Sequence, residues 1–311
     1  MNSLQVLLEE YLAVRRALGV KLTLPGRLLQ RFVVFAAQHD APFITTELAL
    51  QWATEPCDAQ PAQWANRLAM VRRFAQYASA VDARNQVPPP NLLPYRYHRT
   101  QPYIYNDEEI VRLLAAAQSL PGFTGLRPHT YVTLFGLFAV TGLRANEPLR
   151  LDRDEVDLSH GVLTVRGSKF GKSRYVPIVD STAAALRRYA AHRERLCSNP
   201  HDASFFLSER GTRVTEWALR WTFVKLSRQI GLRGATDSHG PRLHDFRHRF
   251  AVSTLLRWYR SGVDVERHLP RLATYLGHTH VSDTYWYLTA TPELLQLAAR
   301  RLDRLPRRPM S

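Results

Sequence analysis

Residues 242–256 read RLHDFRHRFAVSTLL, in which two histidines and three arginines open an apolar run. An ordinary core helix has no use for so many polar groups in its first two turns. His244 and Arg247 are three apart, so a helix places them on one face. His244 and His248 are four apart, a spacing that would also suit a metal. Metal is discounted, because no glutamate completes HExxH and Arg242, Arg247 and Arg249 would repel a cation. Arginine and histidine with few acids suit a phosphate instead.

The bulk numbers agree with an anionic partner. The chain has 311 residues, enough for one large domain or two ordinary ones. Its net charge of +15 and pI near 10.3 point to a polyanion, most often nucleic acid. Of the 42 basic residues only four are lysines, Lys21, Lys169, Lys172 and Lys225. With 45% hydrophobic residues the chain can bury real cores, and its charge content is that of a globular protein. No apolar run reaches the roughly 20 residues a membrane span needs. The segment MNSLQVLLEEYLAV lacks a basic n-region, so no signal peptide is expected. Cys57 and Cys197 are far apart and outside any CxxC, which suits a reducing cytoplasm and offers no zinc site.

Apolar spacing predicts four short helices in residues 1–86, with a turn at Pro25-Gly26 before the second and a threonine cap before the third. This piece has nine basic and seven acidic residues, and Arg72-Arg73 would sit on one positive face. Residues 87–102, VPPPNLLPYRYHRTQP, carry five prolines and read as an extended linker. Residues 103–311 form a second domain that opens with a helix capped by Asn106. A buried helix follows through Thr141, then GVLTVRGSKFGKSRYVPI alternates as a β-hairpin around a glycine-rich turn. Helices fill the remainder. The fold expected is mainly α with a small β-hairpin or sheet, arranged as a two-domain clamp.

Three more segments carry polar residues that packing does not require. TGLRANEPLRL delivers Arg144 at the end of a hydrophobic helix, with Glu147 three residues on, although Pro148 is unexpected inside a helix. In RGSKFGKSRYVP, two of the chain's four lysines flank the turn. A lysine can donate its proton once neighbouring cations depress its pKa, which arginine cannot do near neutral pH. General acid catalysis is one such task. The third segment, YLGHTHVSDTYWYL, places His278 at a helix end, then a polar loop, then Tyr285 and Tyr287. Tyrosines like these are more often core or interface aromatics than nucleophiles.

Taken together, the ordered segments resemble the tyrosine recombinase (phage integrase-like) family. That constellation is Arg, Lys, His-x-x-Arg, His or Trp, and Tyr. It matches Arg144, Lys169, His244 with Arg247, His278 and Tyr287, the tyrosine lying nine residues after the LGH histidine. Counting back from Val176-Pro177 selects Lys169 over Lys172. The stretch RWYRSGVDVERHLPRL makes the interval from Arg247 to His278 longer than in compact members and obscures the local helix register. The tail after Asp283 looks like the mobile-element branch.

The resemblance implies a helical core-binding domain (1–86), a linker (87–102) and a catalytic domain (103–311) that together grip double-stranded DNA at inverted-repeat sites. It implies a covalent 3′-phosphotyrosyl intermediate on Tyr287, phosphate stabilisation by Arg144, Arg247 and His278, a proton from Lys169 and assistance from His244. No metal, ATP or other cofactor is implied. Partners would be further copies, as dimer or tetramer on DNA, and sister recombinases; the setting would be cytoplasmic, at the nucleoid. A type IB topoisomerase would use nearly the same residues, and a non-catalytic accessory could keep the fold. The helix PELLQLAARRLDRL after Tyr287 favours a recombinase, because family members dock such a helix on a neighbouring subunit.

Overall fold

The computed structural model describes residues 3–95, 101–168 and 171–303. The chain divides into two compact units, Met1–Thr100 and Gln101–Ser311.

The first unit holds four helices, α1 (Leu4–Ala17), α2 (Thr23–Gln38), α3 (Thr46–Thr54) and α4 (Pro61–Val81). The Thr45 hydroxyl accepts from the Leu48 amide at 3.1 Å, the cap expected for α3. Leu8, Phe32, Trp52 and Phe74 meet in its core. Pro25-Gly26 does not form the turn expected of it. The chain turns earlier, where Gly19 and Leu22 take positive φ, and Pro25 is the third residue of α2. The first amides of a helix have no intrahelical acceptor, so proline costs nothing there. Arg72 and Arg73 do not share a face either: Arg73 is exposed, and Arg72 is half-buried. Successive helical residues point about 100° apart.

The second unit begins with α5 (Asp107–Gln118), where Asn106 and Glu109 bond reciprocally to each other's amides at 2.8 and 2.9 Å. The apolar α6 (Leu126–Thr141) follows and stops at Gly142, φ 61°. A Cβ on Gly142 would lie 2.8 Å from the Phe250 ring, so sterics and dihedral both demand glycine there. Pro148 is accommodated because α7 (Asn146–Arg150) is short and places it in the first turn. Strands β1 (Val156–Asp157), β2 (Val162–Val165) and β3 (Arg174–Pro177) make an antiparallel sheet in that order. The expected hairpin is β2–β3, with β1 added at its edge. Helices α8 (Asp180–Leu196), α9 (Glu216–Gln229), α10 (Leu243–Arg260), α11 (Val265–Leu276), α12 (Ser282–Tyr285) and α13 (Pro292–Asp303) complete the unit. Among the described residues no helix is long and apolar enough to cross a membrane.

Two cores share α10. Phe246 packs with Phe138 and Phe223, while Leu255 on the next turns packs with Leu269, Leu276, Tyr287 and Leu294. Each such side chain stabilises the unit by about 1.5–3 kcal/mol. The long interval between Arg247 and His278 resolves into α10, a reversal at Gly262 and α11, whose last turn comes back beside Arg247. Leu294 seats α13 against its own unit, on α10 and the turn that holds Tyr287.

Candidate active site

The site is built where three helix ends converge. Past Gly142 the chain buries Leu143 and turns Arg144 outward. The Arg144 guanidinium donates from Nη1 to Glu147 Oε1 at 3.0 Å and from Nη2 to the Gly277 carbonyl at 2.8 Å. Arg247, 1% exposed, lies in the second turn of α10. It donates to the Gly142 carbonyl at 3.0 Å and the Leu276 carbonyl at 2.6 Å. Both arginines thus bind carbonyls at helix C-termini, where unbonded carbonyls and the helix dipole favour a cation. Burial, then the charge of Arg144, pushes Arg247 down to about 10, and it stays ionised at neutral pH.

Glu147 is the carboxylate facing this pair, and it is 5% exposed. Both its oxygens also accept from Arg174, at 2.8 Å each, in a forked pair. Burial pushes its pKa up, but the bonds and charges of Arg174 and Arg144 outweigh burial and hold it below the usual carboxylate range. Three guanidinium groups against one carboxylate leave a local excess of positive charge.

His278 follows Gly277, and its Nδ1 is 2.7 Å from the hydroxyl of the fully buried Thr284. His244 lies in the first turn of α10, its ring edge-on to His248 at 4.7 Å. Burial first, then Arg247, pushes both His244 and His278 down to about 4. By surface area His244 is exposed, so for that ring the charges of Arg247 and Arg242 are the firmer cause. Both imidazoles are neutral at pH 7.

The structure separates the two candidate tyrosines. Tyr287, 3% exposed, sits in the 3-10 turn Trp286–Thr289. Its ring lies parallel to His278 at 6.1 Å and tilted on His248 at 5.5 Å. Tyr285 is 52% exposed. Arg144, His244, Arg247, His278 and Tyr287, drawn from three separate stretches, therefore come together. Lys169 lies outside the described residues; Lys172 is exposed at the turn, its carbonyl accepting from Ser168. Among the described residues no group of three His, Cys, Asp or Glu side chains could hold a metal ion.

The model of the phage integrase family matches residues 104–293. The chain belongs to that family. A protein named as an integrase/recombinase, y4rB, from Sinorhizobium fredii strain NGR234 is 52% identical over 98% of both chains. Among solved structures, the Tn1549 transposon integrase superposes with a TM-score of 0.67 at 15% identity, covering 97% of this chain and all of the other. XerH site-specific recombinase gives 0.62 at 19%, covering 97% and 85%. The solved structures bear out the expected fold, mainly α with a small antiparallel sheet, and family membership bears out the tyrosine-type recombinase class.

Two integrase-site residues were not singled out from the sequence. Arg174 has a faint signal: it is two residues from buried Val176, so it shares the inward face of β3. Thr284 has none, being one threonine in a polar loop.

The depressed histidines make stability depend on pH. In the unfolded chain an imidazole titrates near about 6.5. Between there and about 4 the unfolded state binds protons that the folded state refuses, so stability falls as pH drops through that window. The urea midpoint of the wild-type protein should fall between about pH 7 and about pH 5. His278→Asn should flatten that slope, and an unchanged slope would show that His278 is not held neutral.

Proposed function

We propose that this integrase-family protein breaks and rejoins double-stranded DNA through a 3′-phosphotyrosyl intermediate on Tyr287. The observation that carries the reading is the buried tyrosine ring beside His278, with Arg247 and Arg144 anchored through adjacent carbonyls. The Tyr287 hydroxyl attacks the scissile phosphorus, its oxygen forms the new P–O bond, and the bond to the 5′-oxygen breaks. The phosphodiester energy is retained, so a second 5′-hydroxyl can reverse the step and reseal the strand. Arg144, Arg247 and His278 stabilise charge on the non-bridging oxygens through fixed donors. His244, neutral at pH 7, takes or shares the tyrosine proton, and Lys169 supplies one to the leaving 5′-oxygen.

The partner follows from charge and kinship. A chain of net +15 draws in a polyanion, and phosphate contacts set its register on the duplex. The Tn1549 integrase is seen with transposon end DNA and XerH with a palindromic substrate. Inverted-repeat sites and assembly of two or four copies are the corresponding reading here.

The test uses nicked duplexes taken from inverted repeats flanking the gene. Strand cleavage should leave a protein–DNA species that survives denaturation, and it should form equally well in EDTA. A strict magnesium requirement without any adduct would replace this chemistry with that of a carboxylate nuclease.

A further inference from the structure

Three consecutive carbonyls at the end of α11 each hold a different arginine. Tyr275 accepts from Arg174 Nε at 2.8 Å, Leu276 from Arg247 Nη2 at 2.6 Å, and Gly277 from Arg144 Nη2 at 2.8 Å. Arg144 and Arg247 have roles in the reading above. Arg174 has none, yet it is the most completely engaged of the three: its remaining nitrogens both donate to Glu147. It lies against the Gly277 backbone, where an added Cβ would come within 2.9 Å of its Nη1. Its side chain is 10% exposed.

We propose that Arg174 is a positioning residue that keeps the Arg144 guanidinium available to the phosphate, an inference that rests on the phosphoryl-transfer reading. Glu147 has two oxygens, and a carboxylate beside an arginine prefers a forked, two-bond pairing. Arg174 occupies that geometry. Arg144 is left with a single side-chain bond, to Oε1, and keeps donors of its planar fork for a ligand. Without Arg174, Glu147 would be free to take Arg144 in the forked pairing and to present an uncompensated negative charge to the incoming phosphate. The bond from Arg174 to Tyr275 also fixes the turn from which His278 projects. At the end of β3 next to the hairpin turn, paired with Val165, Arg174 ties the sheet to Glu147 and to the Tyr275 carbonyl.

Arg174→Met and Arg174→Lys test this, the lysine variant retaining charge without the fork. Both should bind DNA near wild-type affinity, because many phosphate contacts share it. Arg174→Lys should melt near the wild-type temperature and Arg174→Met, which strips both forked bonds from the buried Glu147, below it. Both should slow strand cleavage at saturating DNA by about 10²-fold, the usual cost of a misplaced catalytic group. The discriminating substrate carries a methylphosphonate at the scissile position, which is neutral and asks less of Arg144. Much of the deficit should vanish on it for Arg174→Met, for Arg174→Lys and for Arg144→Ala alike. A purely structural role would slow both substrates equally, and that result overturns the proposal, as does wild-type cleavage by Arg174→Lys. If Arg174→Met does not fold, the lysine variant decides. Failure of the wild-type protein to form any adduct would count against the phosphotyrosyl reading instead.

Discussion

Tyr287→Phe should form no covalent adduct with a nicked duplex, while binding that duplex about as well as the wild-type protein. The substitution removes one oxygen and leaves the aromatic ring, so the contacts with His278, His248 and Trp286 survive. Loss of a nucleophile has no partial substitute here, because Tyr285 is half-exposed and, two residues from the buried Tyr287, is set on roughly the opposite side of the helical turn. Tyr285→Phe should therefore still yield the adduct, at a rate near wild type. Denaturing electrophoresis of labelled DNA separates the outcomes directly. An adduct lost in Tyr285→Phe and kept in Tyr287→Phe would mean that the covered ring is a core aromatic and that the exposed one reacts. The burial of Tyr287 would then be packing alone.

Most of what was legible in the sequence is carried by side-chain type. The alternation around RGSKFGKSRYVP announces the hairpin, Asn106 announces a cap, and the apolar run into Thr141 announces a buried helix; all three stand in the structure. The motif residues could be named because arginine, histidine and tyrosine are distinctive at their spacings. What holds them in place was not legible. Arg144, Arg174 and Arg247 are fixed by the carbonyls of Tyr275, Leu276 and Gly277, and every residue in the chain carries a carbonyl. Only the tertiary fold brings the arginines to the helix end where those three carbonyls lack intrahelical partners. The position of the turn before α2 was missed for a related reason. Proline suits both a turn and a first helical turn, and the left-handed Leu22 that decides between them has no signature in its side chain.

The hairpin lysine is expected to show the second-largest effect. As general acid, Lys169 would protonate the leaving 5′-oxygen, and Lys169→Ala should slow cleavage of ordinary DNA by about 10²–10⁴-fold. The argument for lysine rests on proton chemistry. A guanidinium does not give up its proton near neutral pH, and even Arg247, which burial lowers to about 10, stays ionised there, so arginine cannot complete the transfer. Replacing the 5′-bridging oxygen with sulfur makes a leaving group that needs no proton. That substrate should restore Lys169→Ala to near wild-type cleavage, while Arg144→Ala, whose deficit lies on the non-bridging oxygens, stays slow. Lys172 is the control: it is exposed and its carbonyl closes the hairpin turn on Ser168, a contact that Lys172→Ala preserves. Its variant should cleave both substrates alike. Sulfur rescue of Lys172→Ala with Lys169→Ala left inactive would exchange the two lysines, and the count back from Val176-Pro177 would be three residues of hairpin out of phase with the chemistry.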